Sequence, residues 1–230
     1  CIINSKGQHS RSTIPSRKKS RSWLKIAKKF SRRDTKIMLK HRLIPNIILN
    51  NGNVVQSVQF KHTNVIGNAV TAVDFFNSWA VDEMIVLDVS RTKDQRQNFH
   101  KIISGLSKRC FVPLTVGGWI TSIDEINQFL REGADKVAIN TQAVLNSQII
   151  RDASNIFGAQ CIVVSIDVKK NNSGKHRVFI NRGTQETVWD PVDWDKQAEL
   201  LGAGEILLTS IDHEGMRNGY DLELIKSVAE

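Results

Sequence analysis

From residue 44 onward, short apolar runs alternate with longer stretches whose apolar residues recur at helical spacing. Residues 44–49 and 54–60 flank Asn50-Asn51-Gly52, and an Asn-Gly pair between two apolar runs signals a tight hairpin reversal. Residues 68–80 carry Ala69, Val70, Val73, Phe76 and Trp79 on one helical face. The stretch 83–89 reads as a buried strand. Helix 97–107 then precedes strand 111–116, helix 123–132 precedes strand 136–139, and helix 147–157 precedes strand 161–166. A polar insertion over 169–188 reads as a small hairpin. Helix 193–201 leads to strand 205–208, and a further helix opens at Leu222.

Three helix-to-strand junctions share one signature: Ala80-Val81-Asp82-Glu83, Gly133-Ala134-Asp135-Lys136 and Gly202-Ala203-Gly204-Glu205. Each ends a helix on small residues and then begins an apolar strand. Strand-then-helix units repeating in this way mean a parallel sheet, doubly wound or closed. Counting units gives six, where an eight-unit barrel takes roughly 250 residues. The expected fold is a (β/α)8 TIM barrel, C-terminally truncated to about six β/α units. An open sheet of that kind exposes the edges of its first and sixth strands, which invites aggregation. Residues 38–230 alone are therefore expected to be unstable.

Charge changes the picture only at one end. The net charge of +9 over 230 residues suggests an anionic partner, but 12 of the 32 Lys and Arg lie in residues 1–37, with only Asp34 of the 23 acidic residues. The remainder holds 20 basic against 22 acidic residues and is close to neutral. Nucleic acid is thus not expected as a partner of the folded part, and no apolar run approaches the roughly 20 residues of a membrane span. Cys110 and Cys161 lie in or beside apolar runs without metal-ligand spacing, so buried thiols in a reducing, cytoplasmic setting are expected. No metal site and no cofactor are expected.

The chemistry-bearing residues cluster where strands end. The apolar Ile206-Leu207-Leu208 runs into Thr209, Ser210, Asp212, His213 and Glu214, and Asp167 ends the strand before it. In a (β/α) barrel that end faces the substrate. A carboxylate there is desolvated on one side, which suits a general acid or base. Asp88 ends an earlier strand, with an ion pair to Arg91 or a loop cap as the structural alternative. Gly117-Gly118 can let backbone N–H groups approach a phosphate, or can simply make a turn. Asn140-Thr141 offer donors beside a helix start, or a cap for it. Together the two loops point to a phosphorylated small molecule. His213 reads as a solvated loop residue, and Trp79, Trp189 and Trp194 as packing residues.

These residues carry a family resemblance. RLIP, VDEMIVLDV, PLTVGG, GADKVAINTQAV, VVSIDVK and AGEILLTSIDHEGMRNGYD are similar to the cyclase subunit of imidazole glycerol phosphate synthase, from Met38 to Glu230. The resemblance implies a lyase-type enzyme that receives ammonia from a glutaminase partner, in a heterodimer, through a central channel. It implies Asp167 as the catalytic aspartate, Gly118, Asn140 and Thr141 at one phosphate site with Gly117 beside them, Thr209 and Ser210 on the substrate face, and Asp88 in the surroundings. The chain also departs from the family. A first-strand aspartate is replaced by Ile48, which cannot transfer a proton. Family patterns place Asp and Lys at Asn51 and Asn50, a third glycine at Trp119, and Asp and Thr at Glu214 and Met216.

Loss of the first-strand acid is similar to a divergent branch that serves surface-polysaccharide biosynthesis beside a sugar amidotransferase, where ammonia builds an acetamidino group. That is the expected function, with imidazole glycerol phosphate formation in histidine biosynthesis as the alternative. Residues 1–37 are expected to be a non-native or disordered basic extension. Codons for residues 14–38 can be chosen so that a one-base shift reads FHPEKSQEVGLKLLKNFLEEIQK and then a stop overlapping the ATG of Met38. That string resembles the C-terminus of the glutaminase subunit, so translation is expected to start at Met38 behind a glutaminase gene. A transit peptide or a nucleic-acid-binding arm is the alternative reading of that segment.

Overall fold

Asn51 and Gly52 adopt φ of 50° and 75°, the positive-φ pair that a two-residue reversal requires, and the expected hairpin forms around them. The computed structural model describes residues 2–4, 41–92, 96 and 98–230. Apart from 2–4, the reading of residues 1–37 as a basic extension falls outside the described residues. Residues 1–5 and 43–230 form one unit. Its elements begin with a short strand β1 (Ile2–Asn4), then β2 (Asn46–Asn50), β3 (Asn53–Val58), β4 (His62–Asn68) and helix α1 (Ala69–Ser78). Strand and helix then alternate through β5 (Met84–Asp88), α2 (Phe99–Ser107), β6 (Leu114–Gly117), α3 (Ile123–Arg131) and β7 (Lys136–Ile139). After α4 (Thr141–Leu145) and α5 (Gln148–Phe157) come β8 (Ile162–Lys170), β9 (His176–Ile180), β10 (Gln185–Glu186), α6 (Pro191–Leu201), β11 (Glu205–Ser210) and α7 (Leu222–Ala229).

The helices start where side chains can satisfy the free N–H groups of a first turn. Asn68 accepts from the Thr71 N–H, Ser122 from that of Glu125, Asp190 from that of Val192 and Asp221 from that of Leu224. Six strands run parallel in the order β2, β5, β6, β7, β8, β11, as expected for successive βα units. Among the described residues the sheet does not close on itself.

Successive residues of a strand face opposite sides of a sheet, and here the two sides differ. Ile47, Leu49, Val86, Val116, Val137, Val164, Ile166 and Leu208 pack in the large core with helix residues such as Ile103, Phe129, Ile150 and Trp194. Ile85, Ala138, Val163 and Leu207 form a separate small cluster, with Ile44 and Leu87 packed against it. The second set lines the inner face of the barrel wall.

The repeated junction has a physical basis. The backbone N–H groups of Asp82, Asp135 and Gly204 donate to the carbonyls of Leu43, Leu114 and Ile162, at 2.9–3.0 Å. In the first two junctions the aspartate also accepts the returning N–H, from Leu43 and Leu114 respectively, both at 2.8 Å. Each strand start is thereby pinned to the strand before it.

Three expectations need correction. The strand β4, exposed along its whole length, was not anticipated, because it carries no alternating apolar pattern. The edge of β11 is not bare: β1 pairs with it antiparallel, Ile2 opposite Leu207 and Asn4 opposite Glu205. The outer edge of β2 carries β3 at Leu49 and Asn50. Lastly, Trp79 is 64% exposed, whereas Trp189 and Trp194 do pack together with ring centroids 5.1 Å apart. As a test of the junction, Asp135→Ala is expected to cost about 1–2 kcal/mol by removing a charged acceptor from the buried Leu114 N–H. Urea denaturation measures it, and an unchanged midpoint would contradict the role.

Candidate active site at the strand C-termini

Alternation along each strand decides which side chains share the inner face. At the N-terminal end stand Glu83, Lys136 and Glu205, with Lys136 Nζ donating to both carboxylates at 2.8 Å. All three are largely buried. The apolar cluster of Ile85, Ala138, Val163 and Leu207 follows, beside Thr115, whose buried hydroxyl has no hydrogen-bond partner among the described residues. At the C-terminal end stand Asp167 and Thr209, opposite one another in the β8–β11 register.

Asp167 is 8% exposed, and burial pushes its carboxyl up to about 7. Asn140 works against that shift through an Nδ2 bond to Oδ2 at 3.1 Å, while the negative charge of Glu214 adds to it. Asn140 Nδ2 also reaches Ser165 O at 3.0 Å, so this amide spans the β7–β8 pair. A carboxyl held near half-protonation at neutral pH can give or take a proton with little penalty. Ile48 lies on the same face as Asp167, out of step with the helix-facing Ile47 and Leu49, and is paired to Leu87.

Other expected site residues are engaged elsewhere. Asp88 shares the side of the helix-facing Met84 and Val86. Its Oδ1 accepts from the Ser90 N–H and hydroxyl at 3.0 and 2.6 Å, and its Oδ2 from Arg96 Nε at 3.1 Å. It forms an ion pair with Arg96, eight residues on, where the sequence suggested Arg91. Arg96 also donates to Gly118 O at 3.0 Å, tying the β5 and β6 loops together. Gly118 has φ of 112° and lies so close to Asp88 that a Cβ would overlap the Asp88 carbonyl. A Cβ on Gly117 would come within 2.8 Å of Ala138 O. Packing alone therefore demands both glycines. Trp119, at φ of 58°, takes the left-handed conformation that a third glycine would adopt freely, and its Nε1 donates to Ser90 O at 2.8 Å.

Thr141 accepts from the Asn181 N–H at 3.0 Å, so its hydroxyl ties the β9–β10 turn to β7. Ser210, expected on the substrate face, sits one residue out of step with Thr209. Its hydroxyl donates to Asp221 Oδ2 at 3.0 Å, at the start of α7. Two histidines approach the same oxygen, His176 at 3.5 Å and His213 at 3.9 Å. His213 is therefore not simply solvated. Cys110 and Cys161 are half-buried free thiols, both raised by burial. Among the described residues no group of three or more His, Cys, Asp or Glu is placed to hold a metal ion, and no helix is long and apolar enough to cross a membrane.

The sequence reading missed the Glu83–Lys136–Glu205 ring. Its signal was present, since each of the three repeated junctions ends on one of these charged residues.

An inner face with charge at one end and a desolvated carboxylate at the strand C-termini is the layout of a (β/α)-barrel enzyme, and the chain belongs to the histidine biosynthesis protein family, which it matches over residues 42–230. Within that family it is similar to imidazole glycerol phosphate synthase subunits. It is 46% identical over 192 residues to a Vibrio vulnificus (strain YJ016) protein provisionally named imidazole glycerol phosphate synthase subunit hisF2, covering 84% of this chain and 70% of that one. It is 40% identical to imidazole glycerol phosphate synthase subunit HisF of Streptococcus mutans serotype c (strain ATCC 700610 / UA159), over 84% of this chain and 77% of that protein. The HisF subunit of Natranaerobius thermophilus (strain ATCC BAA-1301 / DSM 18059 / JW/NM-WN-LF) is 42% identical, over 84% and 76% respectively.

Two outcomes test this geometry. The folded Asp167 holds its proton to about pH 7, and an unfolded aspartate only to about 3.9. Its contribution to stability is therefore complete below about pH 4 and lost as pH rises through 7. Asp167→Asn is expected to match the parent near pH 4 and to exceed it by on the order of 3 kcal/mol at pH 8. Denaturant midpoints across pH measure this, and a pH-independent difference would contradict it. Lys136→Met removes the ammonium that bonds to two buried carboxylates and is expected to cost about 3–5 kcal/mol. A loss below 1 kcal/mol would show the ring to be solvated.

Proposed function

We propose that this chain is the cyclase-type synthase subunit of a glutamine amidotransferase pair. Ammonia released by a glutaminase partner enters at the Glu83–Lys136–Glu205 ring and travels along the inner face. It then reacts at the strand C-termini with a phosphorylated substrate. The buried, unpartnered Thr115 hydroxyl supports this path, because it offers a hydrogen bond to a small polar guest inside an otherwise apolar stretch. Asp167 is the proton-transfer group, and its buried place at the C-terminal rim of the inner face, opposite Thr209 and bonded by Asn140, is the observation that carries the reading. Thr209 lies beside it for substrate contact, and Gly117, Gly118, Asn140 and Thr141 frame the phosphate end.

The names of the relatives favour imidazole glycerol phosphate as the product, with the aminoimidazole ribotide that the family resemblance implies beside it, over the polysaccharide role that the sequence put first. One feature favours the second reading. With Ile48 on β2 the inner face lacks a second acid there, so ammonia would be passed on to a sugar amidotransferase without ring closure. Purified protein supplied with ammonium salt and the phosphoribosyl-formimino nucleotide is expected to form both products. Asp167→Asn is expected to lower the rate about 10²–10⁴-fold. A cyclase-deficient strain that stays auxotrophic for histidine, with no ammonium-supported turnover in vitro, would overturn the first reading in favour of the second.

A further inference from the structure

Trp119 is the bulkiest of the described residues with a left-handed backbone, at φ of 58°. A large side chain stays in that conformation only where its surroundings hold it there, and such positions cluster at functional sites. Here the hold comes from Asp88 through two arms. Asp88 Oδ1 accepts from the Ser90 hydroxyl at 2.6 Å, and Ser90 O in turn accepts from Trp119 Nε1 at 2.8 Å. Asp88 Oδ2 accepts from Arg96 Nε at 3.1 Å, and the Arg96 guanidinium stands over the indole with Cζ 5.8 Å from the ring centroid. The Asn51 N–H donates to the Ser90 hydroxyl at 2.8 Å, so the β2–β3 turn braces the same point. The plane of the indole is therefore set before any ligand arrives. Yet the ring is not put away: Ser90 is 0% and Asp88 4% exposed, whereas Trp119 is 41% exposed.

We propose that Trp119 is a substrate-recognition residue: its fixed indole at the C-terminal rim stacks on the planar heterocycle of the phosphorylated substrate. The proposal deepens the cyclase reading and rests on it, since that reading supplies a nucleotide-like substrate with a planar ring. The placement fits. Trp119 follows β6, and β6, β7 and β8 are successive parallel neighbours, so Asp167 stands two strands away, about 10 Å at the usual strand spacing. Asn140, at the end of β7, lies between them. A ring held at Trp119 would thus border the phosphate end and leave the rest of the substrate to reach Asp167. Arg96 covers one face of the indole and leaves ring surface for a ligand. An aromatic plate whose orientation is already fixed gives up little freedom on binding, and it gains dispersion and burial from any planar ring laid on it. A bare sugar phosphate offers no such face.

Two ligands and two variants of the full chain test this by calorimetry. Aminoimidazole ribotide and ribose 5-phosphate share the phosphate and the sugar, and only the first has a ring. Trp119→Gly removes the plate at a position where glycine takes the same φ without strain. Trp119→Phe keeps an aromatic face. Trp119→Gly is expected to weaken the ribotide roughly 5–100-fold and ribose 5-phosphate by less than twofold. Trp119→Phe is expected to bind the ribotide within about threefold of the parent. The ribotide is also expected to quench indole fluorescence in the parent and to quench it less in Trp119→Phe. An equal loss for both ligands in Trp119→Gly means that the indole meets the sugar or only braces the loop, and it overturns the proposal. Unchanged ribotide binding in Trp119→Gly, or Trp119→Phe as weak as Trp119→Gly, overturns it too. If the parent turns over the nucleotide while Trp119→Gly binds the ribotide as the parent does, the stacking role fails and the functional reading stands. If the ring-dependent loss occurs in a protein with no ammonium-supported turnover, the functional reading fails and the recognition role stands.

Discussion

Opposed effects on one carboxyl organise this molecule. Burial at the end of β8 drives Asp167 toward its neutral form, and the Asn140 amide pulls it back by stabilising the anion. The result is a group poised near neutral pH, which an exposed aspartate cannot be. That balance requires β7 and β8 to be adjacent, parallel and in the register seen, so that Asn140 spans to both Ser165 and Asp167. The ladder between the two strands holds that register, with Val137 opposite Ile162 and Ile139 opposite Val164.

The inner face is then a gradient of polarity. Buried charges stand at the N-terminal end, aliphatic side chains with one unpaired hydroxyl in the middle, and the poised carboxyl at the C-terminal end. A lysine between two glutamates is costly to bury and more costly to break. Under the proposed function, ammonia is small and uncharged enough to cross the apolar stretch, whereas a phosphorylated substrate is too large and too charged. In that proposal the two reactants approach Asp167 from opposite ends.

Much of this was legible in the sequence because it obeys short-range rules. The Asn51-Gly52 reversal, the helix and strand periods and the order of six parallel strands follow from local pattern. So does the placing of Asp167 at a strand end. What was not legible depends on contacts across the chain. The apolar residues of β4, Val65 and Ile66, are adjacent rather than alternating, so nothing local marks it as a strand; β3 supplies its pairing. Ser210 and Thr209 look interchangeable as neighbours, yet the period of two sends one to Asp221 and the other to the inner face. Asp88 has Arg91 close in sequence, but the geometry pairs it with Arg96. Glu214 drew notice as one polar residue among several after a strand and as a departure from a family pattern, but its partners Ser57 and Phe60 lie more than 150 residues away.

The most direct measurement is a crystal structure of the chain with the proposed phosphorylated substrate bound. The account expects the reacting atoms within hydrogen-bond reach of an Asp167 carboxylate oxygen, roughly 2.6–3.2 Å directly or through one water. It also expects Ile48 on the same inner surface, without a polar contact to the substrate. A substrate bound on the helix side of the sheet, or one that leaves Asp167 without contact to any reacting atom, would contradict it.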